Sequence, residues 1–259
     1  MSGAVGGFSR PTRDFWTKDA YARAVARRTP LLLLAGLLAL LAAAPAASAR
    51  YIRLSDERTR THSAFVNYAT SVRAQPSAKA RKVASLRPST FHGREEVVLV
   101  LGQEERGGRT WVRIRYSGLG RRVGWVTESV LSASRFHRQL IVVDRGALEL
   151  RLLRDGKVAM RVPIGVGASE SPTPTGHSYI RERLVLSSGN SIYGALAFGT
   201  SAFSRYRTDW PGGGQVGIHG TNQPGLIPGY ISNGCVRLHN KDILALGRRI
   251  DVGTPVLFK

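Results

Sequence analysis

A cysteine and a histidine in the last sixth of the chain have the spacing of a possible nucleophile and base. Cys235 is the only cysteine among 259 residues, so it cannot form an internal disulfide and is either a small buried apolar residue or a reagent. The Ser, Asn and Gly at 232–234 favour an exposed turn rather than a core strand. His219 lies sixteen residues upstream. A histidine that accepts the thiol proton produces a thiolate, which is the nucleophilic form. The spacing alone leaves both interpretations of Cys235 open.

The residues around this pair resemble the signature of the YkuD-type L,D-transpeptidases, bacterial enzymes that cross-link peptidoglycan. The resemblance is carried by His219-Gly220-Thr221-Asn222, by Ser232, and by the run Gly-Cys-Val-Arg-Leu-His-Asn at 234–240. It extends over residues 138–259. Many members of the family have a second histidine just before the Gly-Cys pair. This chain has Asn233 there, so one candidate base is missing.

The resemblance implies that Cys235 is the nucleophile, that His219 takes the thiol proton, and that the Gly220 carbonyl orients the imidazole ring. From the residues themselves, we expect the backbone N–H groups of Gly234 and Cys235 to stabilise a developing oxyanion. Arg237 shares a strand face with Cys235 by the period of two, so it would lower the thiol pKa or bind a substrate carboxylate. An ordinary structural salt bridge is the alternative for Arg237.

Four more residues complete the predicted substrate-binding set: Asn222, Ser232, Tyr193 and Phe198. We expect Asn222 and Ser232 to brace the loop rather than react. The two aromatic residues lie in segment 188–214, which has few regular signals. Such a long loop is either a functional element, here a lid over the cleft, or a disordered insert.

No metal or organic cofactor is expected. Cys235, His219 and His239 could be imagined as zinc ligands, but their spacing fits no known finger. His239 is also a poor candidate base, because four residues along a strand separate it from the nucleophile by about 13 Å.

The resemblance also implies the substrate and the reaction. Cys235 would attack the carbonyl of an L-centre beside a D-alanine in a peptidoglycan stem peptide, and D-alanine would leave. An amine of a neighbouring stem would resolve the thioester and form a cross-link, as needed for cell wall biogenesis and cell shape. Water as the acceptor would make the protein an L,D-carboxypeptidase, and a protein amine would attach that protein to the wall. A non-catalytic wall-binding protein with a degenerate site is the alternative from another class.

The N-terminal region has the features of a secretory signal. Residues 31–44 are an unbroken apolar run preceded by Arg27 and Arg28, and an Ala-x-Ala pattern ends at Ala49. Fourteen residues are short for a membrane span, so we expect export to the periplasm or cell wall, with a membrane association only if the signal is retained as an anchor. The basic region before the run is long, and Val25 rather than Met1 is a possible start.

The mature chain reads as mainly β. Residues 50–62 are expected to be a charged linker. Residues 63–134 contain short strands separated by turns and resemble a bacterial SH3-like module, a small barrel that is often wall-binding. Residues 138–259 are predicted to be a β-rich catalytic domain with a short helix after the catalytic motif, from Lys241 to about Ile250 and capped by Asn240.

The net charge of +21 favours polyanionic partners. No zinc-finger spacing, aromatic RNA platform or concentrated Lys/Arg run is present, so nucleic acid is not an expected partner. Besides stem peptides, anionic wall polymers fit this charge.

Overall fold

A computed structural model describes residues 50–120, 122–186, 191–206, 208 and 212–259. The predicted signal region, 1–49, lies outside the described residues. Within the described part of the chain, no helix is long and apolar enough to cross a membrane. These residues are predominantly β-strand, as the alternating and apolar runs of the sequence predict, and they form two sheets.

The first sheet contains the N-terminal strands. Their bounds are β1 (Ile52–Arg53), β2 (Thr61–Phe65), β3 (Thr70–Arg73), β4 (Lys82–Leu86), β5 (Val97–Arg106), β6 (Arg109–Arg115), β7 (Val123–Thr127) and β8 (Arg135–His137). The strand order is β4-β3-β7-β6-β5-β2-β8, and β1 pairs with β5. A 3₁₀ turn, Glu128–Val130, follows β7. The resemblance of this sheet to an SH3-like barrel stays a prediction.

The predicted linker, 50–62, does not run free of the first sheet. Ile52 and Arg53 pair with Gln103 and Gly102 of β5, and β2 already begins at Thr61. Between them, the Asp56 carboxylate accepts the N–H groups of residues 58–60 and closes a turn. The charged composition therefore reflects a side-chain-capped turn at the edge of the sheet rather than a spacer.

The second sheet contains the C-terminal strands. Their bounds are β9 (Gln139–Asp144), β10 (Glu149–Arg154), β11 (Lys157–Pro163), β12 (Gly165–Gly167), β13 (Gly176–Val185), β14 (Leu196–Phe203), β15 (Gln215–His219), β16 (Gly229–Ser232), β17 (Val236–Arg237) and β18 (Pro255–Phe258). The order is β11-β10-β9-β18-β13-β14-β15-β17-β12-β16. A 3₁₀ turn, Pro224–Leu226, precedes β16, and helix α1 (Asn240–Gly247) follows β17.

Two sequence-based expectations about this sheet are wrong in part. Strand β14 occupies the middle of segment 188–214, which was expected to lack regular structure; its small residues, Ala197, Gly199 and Thr200, weaken the apolar alternation that identifies a strand. Helix α1 ends at Gly247 rather than near Ile250. The buried side chains of Ile243 and Leu246 do form its apolar stripe as predicted.

Buried polar contacts join the two sheets. The Tyr179 hydroxyl of β13 donates a hydrogen bond of 2.9 Å to the Val97 carbonyl of β5, and the Tyr179 ring packs in a cluster with Val97 and Leu99. Two positions further along β13, the Arg181 guanidinium pairs with the Glu96 carboxylate. Because both the ring and the ion pair are largely buried, the N-terminal sheet forms part of the packing surface of the C-terminal one.

Candidate active site

The strand pairing of the second sheet places the candidate nucleophile beside the candidate base. Strands β15 and β17 are parallel neighbours, with Ile218 opposite Val236 and His219 opposite Arg237. Ile218 and Val236 are both fully buried in the core, which fixes this register. His219 ends β15 and Cys235 immediately precedes β17, so residues sixteen positions apart in sequence lie on adjacent strands.

The His219 ring has one nitrogen engaged by the backbone. Its Nδ1 lies 2.6 Å from the Gly220 carbonyl oxygen, which can only accept, so Nδ1 carries the proton and Nε2 is left as the acceptor. A methyl group on Gly217 would lie 3.5 Å from His219 Cδ2 and 3.6 Å from Cys235 Sγ. The Cδ2–Nε2 edge and the sulfur therefore border the same narrow gap. The Tyr193 ring contacts the imidazole edge-on, with centroids 5.0 Å apart.

Burial sets the protonation states of both groups. It lowers the pKa of His219 to about 4, with Arg237 acting in the same direction and the Gly220 hydrogen bond opposing. Burial also raises the pKa of Cys235, although the Gly217 N–H, 3.3 Å from Sγ, and the Arg237 charge lower it. Arg237 acts on the thiol as the sequence predicts, but desolvation outweighs it. The resting pair at neutral pH is a thiol and a neutral imidazole rather than a thiolate.

Ser232 braces the turn that carries the sulfur. Its Oγ accepts a hydrogen bond from the Gly234 N–H at 3.1 Å and donates one to the Cys235 carbonyl at 2.6 Å. Gly234 has φ of +114°, a conformation that a side chain would strain. The Gly234 N–H is thus already engaged, and its predicted role as an oxyanion donor is not supported. The Cys235 N–H has no hydrogen-bond partner among the described residues and remains available.

Cys235 and His219 both line a cavity of about 250 Å³. Its lining consists of Ile192, Tyr193, Ser204, Gly214, Gln215, Val216, His219, Ser232, Asn233, Gly234, Cys235 and Arg237. Two predicted substrate-binding residues are elsewhere. Phe198 is buried in the hydrophobic core, because its side chain points to the core face of β14 and not to the face that borders the cavity. Asn222 is exposed and is not part of the cavity wall.

Arg237 faces the cavity with unused donors. Its Nη1 lies 3.4 Å from the Gln223 Oε1, a long hydrogen bond, and its Nε is buried without a hydrogen-bond partner in the described part of the chain. No carboxylate of a described residue pairs with it, so the structural salt bridge considered as an alternative is not formed there. The guanidinium is therefore positioned to receive an anionic group from a ligand.

His239 is turned away from the sulfur. Its Nε2 lies 3.2 Å from the Pro224 carbonyl oxygen, and its Nδ1 lies 3.7 Å from the Asp242 carboxylate. The backbone of His239 occupies the N-cap position of helix α1, a place the sequence analysis assigned to Asn240.

Asn240 instead holds the turn that follows His219, and this contact is not predictable from the sequence pattern. Its Oδ1 accepts the N–H groups of Thr221 at 3.1 Å and Ala195 at 3.3 Å, and its Nδ2 donates to the Thr221 carbonyl at 3.0 Å. These bonds fix the turn that begins at Gly220, whose carbonyl orients His219. A polar residue directly before an apolar helical stripe predicts a helix cap, and only the tertiary structure distinguishes a cap from a residue that binds a distant loop.

In comparisons with known proteins, residues 138–257 match the YkuD family, which is described as the L,D-transpeptidase catalytic domain. Two curated relatives from Bacillus subtilis are both named provisionally as L,D-transpeptidases. YkuD is 36% identical over 116 residues, which cover 45% of this chain and 63% of YkuD. YqjB is 31% identical over 126 residues, which cover 45% of this chain and 69% of YqjB. This chain thus spans less than two thirds of the length of YkuD.

Among solved structures, the catalytic domain of an L,D-transpeptidase from E. faecium is 25% identical, with a TM-score of 0.35. The match covers 47% of this chain and 96% of that domain.

Proposed function

The chain belongs to the family of YkuD-type L,D-transpeptidase catalytic domains, and on that premise we propose that it is an exported cysteine-dependent L,D-transpeptidase that cross-links peptidoglycan. The observation that carries the proposal is that Cys235 and His219 line the same cavity, directly before β17 and at the end of the adjacent strand β15. The Nδ1–H of His219 is committed to Gly220, which leaves Nε2 to accept the thiol proton.

The proposed reaction begins from the neutral pair. As the sulfur of Cys235 attacks the carbonyl carbon of the donor stem, its proton passes to His219 Nε2. The Cys235 N–H is the donor we assign to the resulting oxyanion. Collapse of the tetrahedral intermediate breaks the C–N bond, and the departing D-alanine amine takes the proton from His219. A thioester on Cys235 remains.

The second half-reaction reverses these steps with a new amine. The amine of a neighbouring stem attacks the thioester carbonyl and gives a proton to His219. The C–S bond then breaks, and the sulfur recovers that proton. Arg237 is proposed to bind a substrate carboxylate near the reacting bond, since it lines the cavity beside Cys235 and its Nη1 contacts the neutral amide of Gln223. The Tyr193 ring packs against the His219 ring in a T-shaped arrangement and is proposed to limit access of water to the imidazole.

Export to the cell wall or periplasm is part of the proposal. It is supported by the signal-like composition of residues 1–49 and by the location of the proposed substrate.

The test is a transpeptidation assay with a purified stem tetrapeptide as donor and an amine-bearing stem as acceptor, followed by mass spectrometry. The wild-type protein is expected to give the cross-linked dimer, and a folded Cys235→Ala variant none. A dimer formed by that variant would refute the mechanism. Release of D-alanine without dimer would assign the protein as a carboxypeptidase, since water would then be the acceptor.

A further inference from the structure

A second cavity, of about 440 Å³, opens between the two sheets. One wall is the turn between β6 and β7, and the other comes from β14 and from the loop between β12 and β13. The Gly118 N–H of the turn donates a hydrogen bond of 3.1 Å to the Ser201 carbonyl of β14, which holds the two walls together. The N-terminal sheet therefore helps to build a cavity beside the catalytic half of the chain.

The described lining of this cavity is basic and contains no aspartate or glutamate. Its four arginines are Arg115, Arg122, Arg145 and Arg205. The charge of Arg115 is neutralised by a bidentate ion pair with the Glu57 carboxylate, with 2.5 Å between Nε and Oε1 and 2.9 Å between Nη2 and Oε2. Of the other three, Arg122 and Arg205 have no acidic partner among the described residues, whereas Arg145 Nε donates to the main-chain oxygen of Lys259, the last residue, at 3.3 Å.

Two of these three guanidinium groups are held in place by backbone carbonyls. Arg122 Nε donates to the Leu119 carbonyl at 2.8 Å, and Arg145 Nη1 donates to the Thr173 carbonyl at 2.7 Å. A guanidinium has five N–H donors, so both groups keep free donors for a ligand. Arg205 is exposed at the rim.

Arg122 and Arg205 place two positive charges without an acidic partner among the described residues on one concave surface, in a chain that already carries a net charge of +21. A concave surface lined by one sign of charge concentrates counter-ions of the other sign. Guanidinium groups bind carboxylate and phosphate oxygens through paired hydrogen bonds. The expected ligand of this cavity is therefore anionic.

The two cavities share a wall. Ser204 lines both of them. It is buried and fixed, because its N–H donates to the Gly214 carbonyl at 2.8 Å and its Oγ accepts the Tyr206 N–H at 3.1 Å. An extended peptide rises about 3.3 Å per residue, so a stem of four residues spans about 13 Å, which is longer than the wall residue that the two cavities share.

We propose that the arginine-lined cavity is a subsite for carboxylate groups of the peptide that reacts at Cys235. This rests on the proposed function, which supplies the peptide. The shared Ser204 wall favours a ligand that also occupies the catalytic cavity. The Tyr116 and Phe203 side chains in the lining provide contacts for the uncharged parts of such a peptide. A phosphodiester wall polymer is the competing anion, and the test separates the two.

The experiment measures binding in a Cys235→Ala background, so that turnover does not interfere. Three fluorescent probes are used: a tetrapeptide ending in D-alanine with free side-chain carboxylates, the same peptide with those groups amidated, and a glycerol phosphate oligomer. The test variant is Arg122→Gln with Arg205→Gln. The matched control is Arg81→Gln with Arg113→Gln, two exposed arginines outside both cavities that change the net charge equally. Thermal unfolding checks that both variants fold.

The Kd of the carboxylate peptide should rise about tenfold in the test variant, which is the loss expected for two partly exposed charge contacts. The Kd of the amidated peptide for the test variant, and the Kd of the carboxylate peptide for the control variant, should change by less than about twofold. Equal weakening of both peptides, or equal effects of both variants, would overturn the proposal. A loss confined to the glycerol phosphate oligomer would overturn it in favour of a polymer-binding groove. If binding follows the expected pattern and the wild-type protein still forms no acyl adduct, the subsite holds and the proposed function fails.

Discussion

The side chain of Asn240 connects helix α1 to the loop that orients the proposed base, so its removal is predicted to impair both stability and acylation. Asn240→Ala deletes three hydrogen bonds, two accepted from the backbone of Thr221 and Ala195 and one donated to Thr221. It leaves two N–H groups and one carbonyl without these partners in a half-buried site. Because Thr221 follows Gly220, the freed turn no longer holds the carbonyl that fixes the His219 tautomer.

The magnitude follows from those three bonds. At about 1 kcal/mol for each, Asn240→Ala should lower the free energy of unfolding by about 2–3 kcal/mol. For a protein of this size, that corresponds to a fall in Tm of about 5–10 °C. Asn240→Asp keeps both accepted bonds and loses only the donated one, so it should cost about 1 kcal/mol, which is less than half of the loss in the alanine variant. Acylation by the alanine variant should slow at least about tenfold, since small displacements of a catalytic group are costly.

The assay pairs thermal unfolding with single-turnover acylation by a carbapenem, followed by intact-protein mass spectrometry. Asn222→Ala is the matched control, because Asn222 lies on the same loop, is exposed, and has no hydrogen bond to the described residues. It should behave as the wild type in both measurements. If folded Asn240→Ala acylates at the wild-type rate, the loop does not position His219 and the reasoning is wrong.

Three further predictions follow from the same geometry. His219→Ala should slow acylation by about 10²–10⁴-fold and His239→Ala far less, with circular dichroism as the folding control; the reverse order would reassign the base. The free energy of unfolding should fall as the pH drops from about 6.5 to 4, because burial holds the pKa of His219 and of His137 near 4, whereas histidines of the unfolded chain bind protons at about 6.5. The expected loss is about 3 kcal/mol per histidine, measured by urea unfolding at several pH values. A urea midpoint at pH 4.5 equal to that at neutral pH would contradict this prediction. The Gly217→Ala variant should fold normally, since its new methyl group would lie 3.6 Å from Cys235 Sγ, an ordinary contact distance. It should nevertheless slow acylation, because the methyl group fills the gap between the sulfur and His219. An unchanged acylation rate would show that the substrate does not enter through this gap.

The pairing of Cys235 with His219 could be predicted because each residue lies in a short sequence motif, and both motifs belong to the same family signature. The Ser and Gly before Cys235 predict an exposed turn; a turn is present and Ser232 Oγ closes it, but Ser232 and Gly234 are buried and only Asn233 is exposed. The thiol pKa was not predictable in the same way. A cation two residues away is visible in the sequence, whereas the burial that outweighs Arg237 depends on the strands packed around the sulfur.

The errors concern residues whose function depends on distant parts of the chain. Phe198 was expected at the cleft because its segment looked irregular, but a strand of small residues places it on the core face. Asn240 was expected to cap a helix, and it binds a loop nineteen residues away. The Gly234 N–H was expected to be a free donor, and Ser232 occupies it. Periodicity identifies elements, but it does not report which partners the fold brings to them.

The most direct test of the central claim is peptide-mapped mass spectrometry of the wild-type protein after a short incubation with a stem tetrapeptide. We expect one acyl adduct, equal in mass to the tetrapeptide without its D-alanine, on the tryptic peptide that contains Cys235. Hydroxylamine should remove this adduct, as expected for a thioester. The His219→Ala variant should accumulate the same adduct more slowly. An adduct on any other residue, or a wild-type protein that releases D-alanine with Cys235 unmodified at every time point, would contradict the account.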